Sequence, residues 1–405
     1  MKIILYEDNQ ASNLYPITLT RPSFDIFCGA ANLVQVIKTI FSQAGVGYLV
    51  RDHLKEIVAK KYPAKEADTG YVLYLNGSLI PSFTLAKKLA ETIRFDQELI
   101  LKNGEKIIGA IVAANQPITN YNELEAYSKK LDLKMIQVQW PSFNYSWEVI
   151  VYNQQIINDN LDYLKINFKE IKPNVFVGGG VKLADNISFN TDNGIIIIDE
   201  KTKISPFVYL AGPLYIGSNC LIKEFAAVKD KCCIGPVCKI GGEIEATIIQ
   251  GYSNKQHYGF LGHSYLGEWV NIAAGTSNSD LKNTYSLIKI GGVETGQQFL
   301  GTVIGDYSKT AINTSIFTGR IIGACSFVYG TITRDIISFT NYAANLGCVI
   351  ELDFDVAIKS QKAMFGRRQM EQTAVEINLL KNIYELTAAD RLAANVKPGR
   401  LEFKI

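Results

Sequence analysis

Residues 198–246 read IDEKTKISPFVYLAGPLYIGSNCLIKEFAAVKDKCCIGPVCKIGGEIEA. From Ile198 an aliphatic side chain returns at every sixth place: Ile204, Leu210, Ile216, Ile222, Val228, Ile234 and Ile240. A helix repeats every 3.6 residues and a strand every two, so neither produces this spacing. A second beat accompanies the first. Four places after an aliphatic comes a small or modest side chain, as at Val208, Cys220, Ala226, Cys232 and Cys238, and glycine often follows the aliphatic directly, as at Gly217, Gly235 and Gly241. The pattern predicts a triangular parallel β-solenoid. One aliphatic per flat side points inward, a small residue sits near each corner, and glycine allows the bend. Three sides close one coil, and coils stack about 4.8 Å apart. A β-sandwich is the alternative, and eight aliphatics in one phase weigh against it. The spacing leaves the hand of the coil open.

The rhythm returns at Leu266 and Ile272, then at Ile304, Thr310, Ile316, Ile322 and Val328, with Ser308, Thr314 and Ser326 in the small phase. The solenoid is therefore expected over 175–348, with an excursion from the repeat at 277–303. Before it, residues 1–165 alternate short apolar runs (KIILY, YVLYL, IIGAIVA) with segments of helical spacing (AANLVQVIKTIFSQAG, SFTLAKKLAETIRF, NYNELEAYSKKL). That alternation predicts an α/β domain, and SWEVIVYNQQIINDNLDYL reads as its closing helix. After the solenoid, 356–405 reads as a helical tail whose apolar face runs through Ala357, Ile358, Ala363, Met364, Met370, Val375, Leu379 and Ile383.

The 405 residues are 47% hydrophobic and 20% charged, with a formal charge of +2. No basic run points to nucleic acid, no apolar stretch is long enough to cross a bilayer, and the start turns polar too soon for a signal peptide. A cytoplasmic location is expected. Three of the seven cysteines, Cys220, Cys232 and Cys238, share one phase of the repeat, which suggests buried core thiols in place of a disulfide framework; Cys232 and Cys233 are weak metal candidates.

Two of the three histidines, His257 and His263, stand where the rhythm breaks, among Tyr252, Asn254, Lys255, Tyr258, Tyr265 and Asn271. A neutral imidazole suits proton removal near pH 7, and backbone N–H groups on a glycine-rich edge suit an oxyanion. A hydrogen-bonded corner role for His263 is the plainer alternative.

GHSYLGEWVNIAAGT (262–276) resembles the signature of hexapeptide-repeat acyltransferases. It is most similar to the acetyltransferase half of the bifunctional UDP-N-acetylglucosamine diphosphorylase / glucosamine-1-phosphate N-acetyltransferase family. The resemblance implies a left-handed β-helix and a homotrimer with acetyl-CoA lying between adjacent helices. It implies His263 as the base that deprotonates the sugar amine, Tyr265 and Asn271 as sugar-phosphate contacts, and Ala274 and Gly275 as backbone beside the thioester. Asp280 stands where that family carries an asparagine and is the substrate contact matched to it, and His257 ranks second as base or phosphate contact. The family's phosphate-clamping basic residues have no direct counterparts; Lys255, Lys282, Lys289 and Lys309 are the substitutes at hand.

ILYEDNQASNLYPITLTRPSFD (4–25) resembles the opening of sugar-1-phosphate nucleotidylyltransferases. The departures are a loop without glycine and Ser23 in place of the usual lysine. This implies UTP as cosubstrate, Arg21 as a phosphate contact, and a Mg²⁺ ion held by Asp8 and Asn76, the latter replacing the family's aspartate. An Arg21–Asp25 pair internal to the domain is the alternative. Three functions remain open at this point. They are a two-activity enzyme of UDP-N-acetylglucosamine synthesis, a single-activity sugar acyltransferase or nucleotidylyltransferase, and a non-catalytic trimeric scaffold. The substrates are expected to be small molecules, with neither nucleic acid nor membrane as partner.

Overall fold

The computed structural model describes residues 1–64, 70–130, 133–399 and 401. The chain divides into two compact units. One comprises Met1–Leu14, Thr18–Ile26 and Ala31–Tyr145; the other comprises Tyr15–Ile17, Phe27–Ala30 and everything from Ser146 onward.

The first unit is an α/β domain as expected, but it ends at Tyr145, and the helix expected to close it belongs to the second unit. The mixed sheet of the first unit contains β1 (Lys2–Tyr6), β2 (Gly45–Leu49), β3 (Tyr71–Asn76), β4 (Leu99–Asn103), β5 (Lys106–Ala113) and β6 (Lys134–Gln137), in the order β2-β1-β3-β5-β4-β6. β1 runs parallel to both β2 and β3, while β5 is antiparallel to β3 and β4. Helices α1 (Leu33–Ile40), α2 (Lys55–Lys61), α3 (Phe83–Thr92) and α4 (Tyr121–Lys130) accompany it. α1 begins where the Asn32 side chain accepts from the Gln35 N–H and the Gln35 side chain returns the bond to Asn32 N–H, a reciprocal cap. The sequence reading carried this helix on to Gly45. In the structure it stops at Ile40, and Gly45 opens β2, whose two glycines hid the strand.

In the second unit α5 (Glu148–Leu164) leads into a left-handed parallel β-helix of about nine turns. The aliphatics stack in register along one face: Ile198 on Ile216, Ile216 on Ile234, Ile234 on Ile249, Ile249 on Leu266, Leu266 on Ile304 and Ile304 on Ile322. All are buried, as are the small-phase residues Val208, Cys220, Ala226, Cys232, Cys238, Ser308, Thr314 and Ser326. Every cysteine is a free thiol, and burial pushes Cys232 up to about 12, which removes it as a thiolate nucleophile at neutral pH.

Glycine plays a different part from the one expected. The left-handed corner positions belong mostly to larger residues, including Phe207, Asn219, Phe225, Val237, Tyr252, Trp269 and Cys325. The glycine after the aliphatic is needed because the next coil passes too close for a side chain. A Cβ on Gly235 would lie 2.1 Å from the Gln250 carbonyl oxygen.

The coil length also changes. Residues 198 to 216 and 216 to 234 are each one coil of 18 residues, but 234 to 249 is 15, 249 to 266 is 17 and 266 to 304 is 38. The shortened coils break the visible period after Ile240. The lengthened one carries the excursion, which begins later than expected: Ser277 and Asn278 still pair with Ser315 and Ile316. Within it, Lys289–Ile290 and Val293–Glu294 form a small antiparallel hairpin.

The tail folds into α6 (Phe354–Gly366), α7 (Ala374–Leu386) and α8 (Ala388–Ala393). Asp353 caps α6 by accepting from Val356 N–H. The buried face of α6 is Ala357, Gln361 and Phe365, spaced by four. Leu379 and Ile383 bury as expected, while Met370 is exposed. Among the described residues no helix is long and apolar enough to cross a membrane.

Candidate functional site

His263, Trp269 and Gly275 all have positive φ (44°, 61° and 74°) and mark successive corners of one coil. Between them lie the sides Tyr265–Glu268 and Asn271–Ile272, followed by Ser277–Asn278. The residues expected at one site are therefore distributed around three corners of this chain.

At the first corner, His263 Nδ1 lies 2.8 Å from Asp280 Oδ2. A carboxylate can only accept, so Nδ1 carries a proton, and in the neutral imidazole Nε2 is then the nitrogen with the lone pair. Both ends of the excursion hold this arrangement. Leu300 N–H donates to Asp280 O, Gly301 N–H donates to His263 O, and the Phe299 ring lies 5.5 Å from the imidazole. The sequence reading matched Asp280 to a substrate contact, whereas its visible contact orients the imidazole. His257 is exposed, and its backbone carbonyl accepts from Lys255.

Tyr265 is fully buried, and its hydroxyl donates to Gln250 Oε1, which also accepts from Phe27 N–H. Lys255 is buried too, because it occupies the inward ladder position: Ile240 pairs with Lys255. Its ammonium donates to the carbonyls of Gly241 and His257 at 2.9 and 2.6 Å. Neither side chain reaches solvent as a phosphate contact would. The 15-residue step from Ile240 to Lys255, in place of 18, is the signal that would have found this lysine inside.

Burial lowers the Lys255 ammonium from 10.5 to about 8. The unfolded chain holds that proton to higher pH than the folded chain does. Lys255 therefore adds a rise in stability between pH 8 and 10. Lys255→Met is expected to remove that rise, which unfolding midpoints of both proteins across the range will test.

Ala274 and Gly275 lie at the third corner. Ala274 O accepts from Asn313 N–H, while Ala274 N–H has no hydrogen-bond partner among the described residues. Asn271 Oδ1 accepts from Asn254 Nδ2 at 3.4 Å, beside the Trp269 corner.

In the α/β domain a cavity of about 900 Å³ opens at the carboxyl ends of β1 and β2, the position where open α/β sheets take ligands. Glu7, Asp8, Arg51, Lys55, Tyr62 and Tyr121 are among its lining residues. Arg51, absent from the sequence-based candidates because β2 was not recognised, grips Glu7 with Nε 3.0 Å from Oε2 and Nη2 2.9 Å from Oε1. No residue of the glycine-free loop has positive φ. Asp8 Oδ1 folds the loop by accepting from Gln10 N–H, so glycine is not required. Arg21 is buried and pairs with Asp25 at 3.9 Å, and it is not part of the cavity wall.

The expected metal pair does meet, but in another role. Asn76 Oδ1 accepts from Ser78 N–H and Oγ, which turns its amide nitrogen onto Asp8 Oδ2 at 2.8 Å; Lys106 Nζ stands 3.5 Å from the same oxygen. These residues do not fit a Mg²⁺ ion held jointly by Asp8 and Asn76. One presents a donor, and the other's charge already faces an ammonium.

An α/β sheet with a cavity at its strand ends precedes, along the chain, a left-handed β-helix bearing a histidine oriented by a carboxylate. Residues 3–167 match the family model described as sugar nucleotidyl transferase. The chain is 27% identical over 212 residues to the bifunctional sugar-1-phosphate nucleotidylyltransferase/acetyltransferase of Sulfurisphaera tokodaii, covering 50% of this chain and 49% of that protein. It is 26% identical over 228 residues to the bifunctional protein GlmU of Buchnera aphidicola, covering 53% and 48%. It is 24% identical over 155 residues to GlmU of a Synechococcus strain, covering 38% and 31%. The chain spans about half or less of the length of these curated relatives. Over these stretches its sequence is similar to those of bifunctional nucleotidylyltransferase/acetyltransferase proteins at 24–27% identity.

Proposed function

We propose that this chain carries two activities. Its solenoid N-acetylates glucosamine 1-phosphate from acetyl-CoA, and its α/β domain transfers the uridylyl group of UTP to N-acetylglucosamine 1-phosphate with release of pyrophosphate. The observation that carries the reading is His263, fixed by Asp280 with Nε2 available as a general base. Nε2 takes a proton as the sugar nitrogen attacks the thioester carbonyl. The C–N bond forms, the C–S bond breaks, and the proton passes to the departing CoA sulfur. The free Ala274 N–H suits the oxyanion that develops. Because Ala274 and His263 occupy different corners, a site using both draws them from neighbouring copies, which favours a homotrimer. Asn271, on another side of the coil, fits the same shared arrangement as a sugar contact.

The uridylyl half rests on the cavity at the ends of β1 and β2 and on the family match over 3–167. The cations on its wall are Arg51, paired with Glu7, and Lys55, paired with the exposed Asp52, and a triphosphate would have to compete with those carboxylates for them. A single-activity acetyltransferase is the second reading, favoured by the acidic groups Glu7, Asp8 and Asp52 on the same wall. Purified protein incubated with glucosamine 1-phosphate, acetyl-CoA, UTP and Mg²⁺ separates these readings. Free CoA together with pyrophosphate is expected. CoA alone supports the single activity, and neither product discards both.

A further inference from the structure

At the Trp269 corner a cavity of about 160 Å³ lies between the solenoid and the end of α6, lined by Asn254, Asn271, Lys309, Met364, Arg367 and Arg368 together with two aromatic rings. Those rings, Tyr252 and Trp269, stack at 4.6 Å, and Trp269 also meets Phe365 at 4.6 Å, so the floor is rigid and apolar. The walls are cationic. Arg368 Nη2 donates to Asn254 Oδ1 at 2.9 Å, which fixes one guanidinium at the rim. Lys309 is largely buried, and among the described residues its ammonium finds only the Tyr307 carbonyl at 3.4 Å and the Met364 sulfur at 3.3 Å, over the Phe327 ring. Burial lowers it to about 8. Nearby, Lys239 is lowered by burial first, then by repulsion from Arg368, Arg367 and Lys223. No carboxylate lines the cavity, and among the described residues none of Lys239, Lys309, Arg367 and Arg368 pairs with one.

The negative end of the α6 dipole favours cations at Arg367 and Arg368. It gives no reason for Lys309 and Lys239 to converge on them from the solenoid. Like charges gathered around a partly dry cavity repel unless an anion joins them. Two guanidiniums and an ammonium together match a phosphate, whose several oxygens accept from all three at once.

We propose that this cavity is a binding site for a phosphate monoester, formed by Arg367, Arg368 and Lys309 with Asn254 as positioning residue. Two sources carry that chemistry here: a sugar 1-phosphate and the 3′-phosphate of CoA. The choice of these two ligands rests on the transferase reading, whereas phosphate binding itself is read without turnover and fails separately from it.

The test is calorimetric titration of the full chain with inorganic phosphate, glucosamine 1-phosphate, CoA and dephospho-CoA at low and high salt. Saturable phosphate binding is expected, weakened by salt and reduced at least about tenfold in Arg367→Ala/Arg368→Ala. Lys309→Met, an independent variant on the solenoid side, is expected to weaken it as well. If CoA exceeds dephospho-CoA and the gap closes in the arginine variant, the ligand is the CoA phosphate. If glucosamine 1-phosphate exceeds phosphate and that gap closes, it is the sugar phosphate. The absence of saturable binding overturns the proposal, as does equal affinity in wild type and both variants.

Discussion

His263→Ala is expected to reduce release of CoA from acetyl-CoA and glucosamine 1-phosphate by about 10²–10⁴-fold, the usual contribution of a positioned general base. The fold and oligomeric state should not change, because the side chain is half-buried at a corner and its visible polar partner is Asp280. The backbone bonds from His263 N–H to Glu245 O and from Gly301 N–H to His263 O survive the substitution. Pyrophosphate release from UTP should be unaffected when N-acetylglucosamine 1-phosphate is supplied directly, which provides a control in a separate reaction. Acetyl transfer near the original rate in H263A would remove His263 as the base and turn attention to His257, the exposed second candidate. The Asp280 contact sharpens the reading. If the carboxylate acts by fixing the tautomer, Asp280→Asn lowers kcat and leaves KM for the sugar nearly unchanged; a carboxylate that instead held the sugar would raise KM.

The period of six made the solenoid legible because inward aliphatics at fixed spacing have few other uses. Ile198 through Ile240 sit where the spacing put them. The same period concealed what followed. Once a coil shortens to 15 residues, counting by six from Ile240 misses that Lys255 is the next inward residue on its face. That lysine then reads as a surface cation. His263 was legible from its company, whereas the partner that orients it lies 17 residues away along a coil whose path the period no longer described. Arg51 was missed for a different reason. β2 is only Gly45–Leu49, two of its five residues are glycine, and without that strand nothing marked the following arginine as a cleft residue. Arg21 and Asn76 illustrate a third limit. Their residue types suit phosphate and metal, but the Arg21–Asp25 pair, already an alternative from the sequence, is the one the structure shows, while the Ser78 bonds that turn the Asn76 amide away exist only in the fold.

The largest stability effect is expected from Gly235→Ala. The added Cβ would lie 2.1 Å from Gln250 O and 2.6 Å from Gln250 C. These are backbone atoms of the adjoining coil, held by ladder bonds that include Gly235 N–H to Ile249 O at 2.7 Å. No rotamer change relieves a clash with backbone, so the coils must part and the ladder must lengthen. The cost is expected to be roughly 3 kcal/mol or more, in the range reserved for disrupted cores. Gly179→Ala is the matched control in the same solenoid. Nothing lies within 4 Å of its Cβ position, and its φ is not left-handed, so alanine there should be neutral or stabilising by up to about 1 kcal/mol. Thermal unfolding of the two variants distinguishes a glycine kept for close approach from one kept for a bend. Equal midpoints would show that the coils yield at Gly235. The position also bears on activity, because Gln250 accepts the Tyr265 hydroxyl at 2.7 Å and Tyr265 follows His263 by two residues. A coil displaced at Gln250 moves the corner that aims the imidazole, so Gly235→Ala should lose acetyl transfer at temperatures where the α/β domain remains folded.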